Sequence, residues 1–400
     1  MSRLVEKYIR ELFDEKKVPQ KLREELWGYY FDKLSKAVDA GYSSKSEFYD
    51  KDLARALKYN IAQFCAFKET SFRNTLRDLL TKDGSLVPWS EFKKEAYKVS
   101  GDYNHRWLET EYHQTVANAN MAEKWKDFER NADLYPNLKF VSVNDNRVRP
   151  EHKALDGTIR PINDPFWNKY TPPLDWGCRC HVVQTDEEPT EIKGGLQLKI
   201  EFENNPATSG SIFGGTAYEK GLDKKEKYDA YQNSINWLEN LQKKNGKVTF
   251  DKDYDVSDFE KNKYIAEMCA KQTGFNFHIR KHLNITGVTN PEYLVNNLFL
   301  GDRKSIESNK GILTQIDLAK KQMLNKKINP HQMPYYIVWD LDYVKNIDFD
   351  EIKRNLSRKI TPTRGKGIRG MFFQYQGKVV HIYREDVITQ NMDMLDHLIK

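Results

Sequence analysis

Along the first 135 residues, apolar and aromatic side chains return every three or four positions. The stretches from Leu22 to Val38 and from His105 to Phe128 show this best, with Trp107, Leu108, Tyr112, Val116, Ala119 and Trp125 on one stripe. Prolines fall only at Pro19, Pro88 and, at the far end, Pro136, so the pattern predicts an all-helical arm over residues 1–135. The stripe is read as a surface for packing helix on helix, with no cofactor box in it. Cys65 and Cys269 lie inside such apolar stripes and read as small core residues.

At Pro136 the period changes. Lys139-Phe140-Val141-Ser142-Val143 alternates like a strand, and from Asn144 to Cys180 the chain is dense in Asp, Asn, Arg, Pro and Trp. Irregular stretches of that length are uncommon inside a compact domain, so something must pin this one. The polar run Gln184-Thr185-Asp186-Glu187-Glu188-Pro189-Thr190 marks an exit from the module. Residues 186–257 read as a linker, with Gly194-Gly195, Gly214-Gly215 and a Lys/Asp-rich helix around Lys224 to Lys243.

Residues 258–400 read as an α/β domain in the order αβββαβ. A helix around Tyr264 to Lys271 is followed by a strand at Phe275–Ile279. Pro291–Val295 and Leu298–Leu300 then flank an Asn296-Asn297 hairpin turn. A helix from about Ile312 to Asn325 precedes the apolar strand Tyr335 to Leu341, and a later hairpin from Met371 to Tyr383 turns at Gln376-Gly377. The expected class is therefore α+β multidomain: a helical arm (1–135), a loop-rich module (136–185), a linker with a helix (186–257) and a C-terminal α/β domain (258–400).

Composition narrows the function classes. The chain is 39% hydrophobic and 30% charged, with a mean hydropathy of −0.79; no run approaches the roughly 18 apolar residues of a membrane span. Met1 to Asp14 alternates charge with apolar residues, unlike a secretion signal, so the protein is expected to stay in the cytoplasm where it is made. Four cysteines cannot build a disulfide framework. The whole excess of +6 lies in residues 191–400, and residues 261–384 hold 22 Lys and Arg against 10 Asp and Glu. Such an excess suits nucleic-acid contact or a solvated basic face.

The irregular stretch contains its own candidate pin. His152 precedes Cys178-Arg179-Cys180 by some 25 residues, which offers three borderline or soft ligands, with Asp145 or Asp156 as a fourth. The alternative is a metal-free knot in which His152 and the acids hydrogen-bond to loop backbone.

Read in order, Asp145-Asn146-Arg147-Val148-Arg149-Pro150-Glu151-His152-Lys153-Ala154-Leu155-Asp156-Gly157, then Asp164-Pro165-Phe166-Trp167, then Pro172-Pro173-Leu174-Asp175-Trp176-Gly177-Cys178-Arg179-Cys180 resemble the Mu F-like phage minor head proteins, the head-morphogenesis family. The helix carrying Arg106, Glu109, Thr110 and Asn118-Ala119-Asn120 looks like that family's lead-in, so the likeness spans about residues 60–185. His181 departs from it, where a hydrophobic or basic residue is more usual. The resemblance implies a few-copy component of the phage head, a virion protein partnered by portal and capsid proteins, which helps head assembly or enters the cell with the DNA. His152, Cys178 and Cys180 are then the residues expected to hold the module together, with or without metal; a structural zinc there would take Asp145 as its fourth ligand.

The C-terminal order and spacing resemble the PD-(D/E)xK, restriction-endonuclease-like nuclease fold, particularly the toxin nucleases of contact-dependent inhibition. Acidic oxygens converging on a divalent metal (Mg, Mn or Zn), with a lysine beside them, are what such a site needs. Glu292, Asp302 and Lys304 fit, because positions i and i+2 share one strand face. Glu267 is expected to reach in from the preceding helix and Gln322 to add a polar group. Glu292 stands where Asp after Pro is more usual. Downstream, Lys353, Arg354, Arg358, Lys359, Arg364, Lys366 and Arg369 cluster around Gly365, Gly367 and Gly370, a pattern suited to wrapping phosphates, with Tyr375, His381 and Tyr383 able to stack on bases.

Two functions from different classes follow. One is a structural head protein whose basic C-terminal domain contacts DNA or the portal without catalysis. The other is the same head protein carrying a metal-dependent nuclease effector, a DNase or tRNase, with an immunity protein as its partner.

Overall fold

A computed structural model describes residues 2–47, 49–192, 197–242, 244–252, 258–281 and 290–399. The chain divides into two compact units, 1–238 and 239–400.

In the first unit the helical arm is present as α1 (Ser2–Glu15), α2 (Gln20–Gly41) and α3 (Lys51–Asp78). A short hairpin, β1 (Thr81–Lys82) and β2 (Ser85–Leu86), comes before α4 (Trp89–Gly101) and α5 (Trp107–Arg130). Asp50 starts α3 as an N-cap, its carboxylate accepting from the backbone N–H of Asp52 (2.8 Å) and Leu53 (3.1 Å). Leu26, Trp27, Tyr30, Leu57, Ile61 and Phe72 are fully buried between these helices. Gly41 lets α2 close on α5, since a Cβ there would sit 2.3 Å from the Val116 carbonyl oxygen. Between α4 and α5 the chain winds one π-helical turn at Asp102–Arg106, where the Trp107 N–H bonds back to the Asp102 carbonyl.

The module that follows is a three-stranded antiparallel sheet in the order β4 (Ile159–Pro161), β3 (Asn137–Val141), β5 (His181–Thr185). Strand β3 begins two residues before the alternation predicts, because Asn137 pairs with both Pro161 and Thr185. Its long connections carry only α6 (Pro150–Lys153) and α7 (Phe166–Tyr170). The segment expected as a linker is packed instead. Asn60 and Phe213 exchange two hydrogen bonds of 3.1 Å, Asn118 donates to the Ile212 carbonyl, and α8 (Pro206–Ser209) lies in this segment. Gly194-Gly195 falls outside the described residues. Helix α9 (Lys224–Asn240) runs to the unit boundary.

The second unit is built on a seven-stranded mixed sheet in the order β12-β11-β10-β9-β8-β7-β6. In chain order these are β6 (Val248–Phe250), α10 (Phe259–Thr273), β7 (Phe277–Ile279), β8 (Tyr293–Val295) and β9 (Phe299–Ser305). Then come α11 (Gly311–Met323), β10 (Tyr335–Asp340), α12 (Phe349–Lys359), β11 (Ile368–Tyr375), β12 (Lys378–Tyr383) and α13 (Arg384–Ile388). Strands β7, β8 and β9 form an antiparallel meander and β10 returns parallel to β9, so the stretch from α10 to β10 has the αβββαβ order. Asn296 and Asn297 turn with φ of 50° and 55°, as the hairpin signal predicts. All six residues of β10 are buried, as a central strand with parallel neighbours on both sides requires. Leu300, Ile312, Ile316, Trp339, Ile352, Leu356 and Phe373 build the core beneath α11 and α12. No helix among the described residues is long and apolar enough to cross a membrane.

Candidate functional site

Regular structure is scarce between β3 and β5, and the backbone turns there are tied together by side chains. The Asp156 carboxylate accepts from the Ser142 N–H and the Asn144 amide, both at 2.7 Å. Asp164 grips Arg160 at 2.6 Å and accepts the Phe166 N–H, at the start of α7, at 2.8 Å. Trp167, 1% exposed, anchors the loop against Trp125 and donates its indole N–H to the Pro161 carbonyl at 3.0 Å.

Within this frame the imidazole and the two thiols meet. His152 sits buried on α6, Cys178 and Cys180 lie just ahead of β5, and one ligand atom from each falls within 4.8 Å of the other two. His152 Nδ1 lies 3.6 Å from Cys178 Sγ. Two ligands on a tetrahedral zinc, with bonds of 2.0–2.3 Å, stand about 3.5–3.8 Å apart, so that spacing fits a shared metal. A hydrogen bond with Cys180 holds the Cys178 thiol down at about 4; burial opposes this, while His152 and the backbone of Leu174 and Cys180 reinforce it. The same bond, together with burial, pushes Cys180 up. The cluster could therefore hold a metal ion such as zinc.

The expected fourth ligand is not there. Asp145 faces Arg179 instead, in a two-pronged pair of 2.6 and 2.7 Å, and that guanidinium holds its carboxyl down at about 2. Asp156 is committed to the Ser142 and Asn144 donors described above. Among the described residues only His152, Cys178 and Cys180 come together in this way.

In the second unit, four of the five residues singled out from the sequence converge. Lys304 Nζ lies 2.6 Å from Asp302 Oδ2 and donates to Gln322 Oε1 at 3.1 Å; Gln322 returns a 3.4 Å bond to Asp302 Oδ1. Glu292, just ahead of β8, accepts the Arg303 N–H at 2.7 Å. Burial first, then the neighbouring Asp302, pushes the Glu292 carboxyl up to about 8. Burial also raises Asp302, which is 1% exposed, against the pull of Lys304. Glu292 and Asp302 thus form a carboxyl pair that resists double ionisation, with an ammonium and an amide at its edge.

Glu267 does not join them. Strand alternation sends Asp302 and Lys304 toward α11 and sends Arg303 to the opposite face, where it bonds Asn262 of α10 at 2.7 Å. Glu267 is on α10, exposed, with Lys263 4.0 Å away. A helix stripe read from sequence does not say on which side of a sheet the helix will pack.

The basic cluster is also divided. Arg354, Arg358, Arg364 and Lys366 are exposed, whereas Lys353 pairs with Asp396 and Lys359 with Asp317. Arg369 is a buried residue ion-paired with Glu239, so it is not free to meet phosphate. His381 is wedged among Phe275, Phe372 and Tyr383, and burial with Arg369 and Lys244 nearby holds it down at about 3. Tyr375 packs on Phe349, and Tyr383 lies under the Arg369 guanidinium. These rings are occupied by neighbours.

One buried group escaped the sequence reading. Lys68, fully buried on α3, bonds both oxygens of Glu111 at 2.8 and 2.7 Å and the Tyr218 hydroxyl at 3.0 Å. The signal existed: Lys68 falls three and four positions from Cys65 and Phe64, inside the apolar stripe.

This arrangement, helices leading into a loop module with a His/Cys/Cys cluster, coincides with a family match. Residues 66–183 fit the model of the Phage Mu protein F like proteins, a span running from α3 into β5 that contains all three clustered ligands. Residues 66–183 are thus similar to the Phage Mu protein F like proteins. The Mu-like prophage FluMu F protein of Haemophilus influenzae is 37% identical over 112 residues, 28% of this chain and 26% of that protein. The putative capsid assembly protein F of Escherichia phage Mu is 39% identical over 77 residues, 19% of this chain and 18% of that protein. The chain therefore aligns with about a quarter or less of the length of these relatives, and the second unit lies outside the family match. No solved structure matches.

Proposed function

We propose that this chain takes part in head assembly of a tailed phage or prophage, as a minor head protein associated with the virion. The observation that carries this reading is the family match over residues 66–183, together with the likeness to a protein named putative capsid assembly protein F. Its partners on this reading are the head's own portal and capsid proteins. The exposed Arg354, Arg358, Arg364 and Lys366 suit contact with packaged DNA. A zinc held by His152, Cys178 and Cys180 would be structural, joining α6 to the turn before β5. The test is deletion of the gene from the phage or prophage that encodes it, with mass spectrometry of purified particles. Loss of filled heads, and the protein's presence in wild-type particles, are expected; normal particles that lack the protein would refute the assignment.

A second reading for the second unit, a metal-dependent nuclease effector, is favoured by the convergence of Glu292, Asp302, Lys304 and Gln322 on one sheet face. A divalent ion bound by the two carboxylates would supply a polarised water and charge neutralisation at phosphate. Lys304 and Gln322 would hold the Asp302 carboxylate in place and stabilise developing negative charge beside it. Full-length protein incubated with RNA and DNA plus Mg²⁺, Mn²⁺ or Zn²⁺ should cleave one of them, and D302A and K304A should abolish this. Cleavage unchanged in both variants, or none by the wild type, removes this reading and leaves the head-assembly one standing.

A further inference from the structure

Beside the Lys68–Glu111 pair lies a cavity of about 310 Å³, at the small end of ligand-binding pockets. Four aromatic rings, of Phe64, Trp107, Trp176 and Tyr218, line it, and two carboxylates, Glu111 and Glu201, reach its wall. The residues come from α3, α5, the loop before Cys178 and the segment after the family-matched region, so the pocket exists only because that segment folds back on the helices.

The charges on this wall do not balance. Lys68 neutralises Glu111, taking both of its oxygens. Glu201 is only 6% exposed, and one of its oxygens accepts the Ala217 N–H at 2.7 Å. Among the described residues no Lys, Arg or His forms an ion pair with it. A buried carboxylate without a cation is costly unless something positive comes to it. The rings supply the rest, since aromatic faces attract cations that have shed their water. The same chemistry is already in use next door, where Lys68 Nζ lies 5.4, 5.8 and 5.1 Å from the ring centres of Tyr30, Tyr103 and Tyr218.

We propose that this cavity binds a monovalent organic cation, an alkylammonium or guanidinium group, held between the aromatic walls with Glu201 as its counter-ion. The group is either a side chain of a neighbouring protein or a free small amine. Titration calorimetry and tryptophan fluorescence on the full chain separate these, using N-acetyl-arginine amide, N-acetyl-lysine amide, methylguanidinium and the neutral isostere N-acetyl-citrulline amide. Saturable binding of the cations is expected, weakened at least tenfold in E201Q and in W107L, with citrulline amide at least tenfold weaker than arginine amide. Tighter binding of the capped residues than of methylguanidinium would identify a protein side chain; the reverse order would identify a free amine. E201Q keeps an oxygen for the Ala217 N–H, so its melting midpoint should match the wild type. Should it not, the arginine against citrulline comparison in the wild type decides alone. Absence of saturable binding, or equal binding of citrulline amide, would overturn the proposal.

Discussion

The loop-rich module between β3 and β5 and the seven-stranded sheet of the second unit solve the same problem in opposite ways. In the sheet the backbone satisfies itself, strand to strand, and apolar side chains such as Trp339 and Ile337 have only to fill space. In the module backbone pairing is confined to short ladders and isolated turns, and named polar side chains tie these together: Asp156 holds the Ser142 turn, Asp164 the start of α7, and the His152, Cys178 and Cys180 cluster brings α6 to the turn before β5. The sheet should therefore respond to substitution in proportion to the volume removed. The module should respond to chemical identity, even where volume is kept.

This contrast can be tested in order of effect. Trp339→Ala, at a fully buried position in the sheet core, should cost about 3–5 kcal/mol in urea unfolding while leaving any bound metal in place. Lys68→Met, nearly conserving volume but stranding Glu111, should also cost about 3–5 kcal/mol, and Lys68→Met with Glu111→Leu should recover most of that loss. If the single variant is as stable as the double, the pair is not the buried ion pair described above. Asp156→Ala should cost about 2 kcal/mol through two lost bonds to a charged acceptor, and should speed hydrogen exchange at the Ser142 N–H. Unchanged exchange there would mean the loop is pinned by something else.

The second unit adds a pH dependence. The Glu292 carboxyl is raised from its ordinary 4.5 to about 8 in the folded chain, so between these values the folded state holds a proton that the unfolded state has lost. Stability from this group is full below about pH 4.5 and is lost as pH rises toward 8. In EDTA, E292Q should therefore gain on the wild type as pH climbs through that window; a constant difference from pH 5 to pH 8 would contradict the assignment.

Much of both regions was legible from residue order, for different reasons. Period-two and period-3.6 patterns located β10, α11 and the Asn296-Asn297 turn, because local backbone preference and burial agree there. The meeting of His152 with Cys178 and Cys180 was legible only as ligand chemistry waiting for a partner, since nothing local forces residues 26 apart together. What stayed hidden was relational. That Arg179 would claim Asp145, that α10 would lie opposite Asp302, and that Glu239 would bury Arg369 all depend on tertiary neighbours that no window of sequence contains. The packing of residues 197–238 was hidden too, because its polar, glycine-bearing composition looks like a tether while Asn60 and Asn118 hold it by backbone groups.

Native mass spectrometry of the full-length protein, purified without chelator, tests most directly whether an imidazole and two thiols rigidify the module through a shared ion. One zinc per chain in the wild type, and none in the C178S/C180S double variant, is the expected result. A wild-type mass that carries no metal would contradict it.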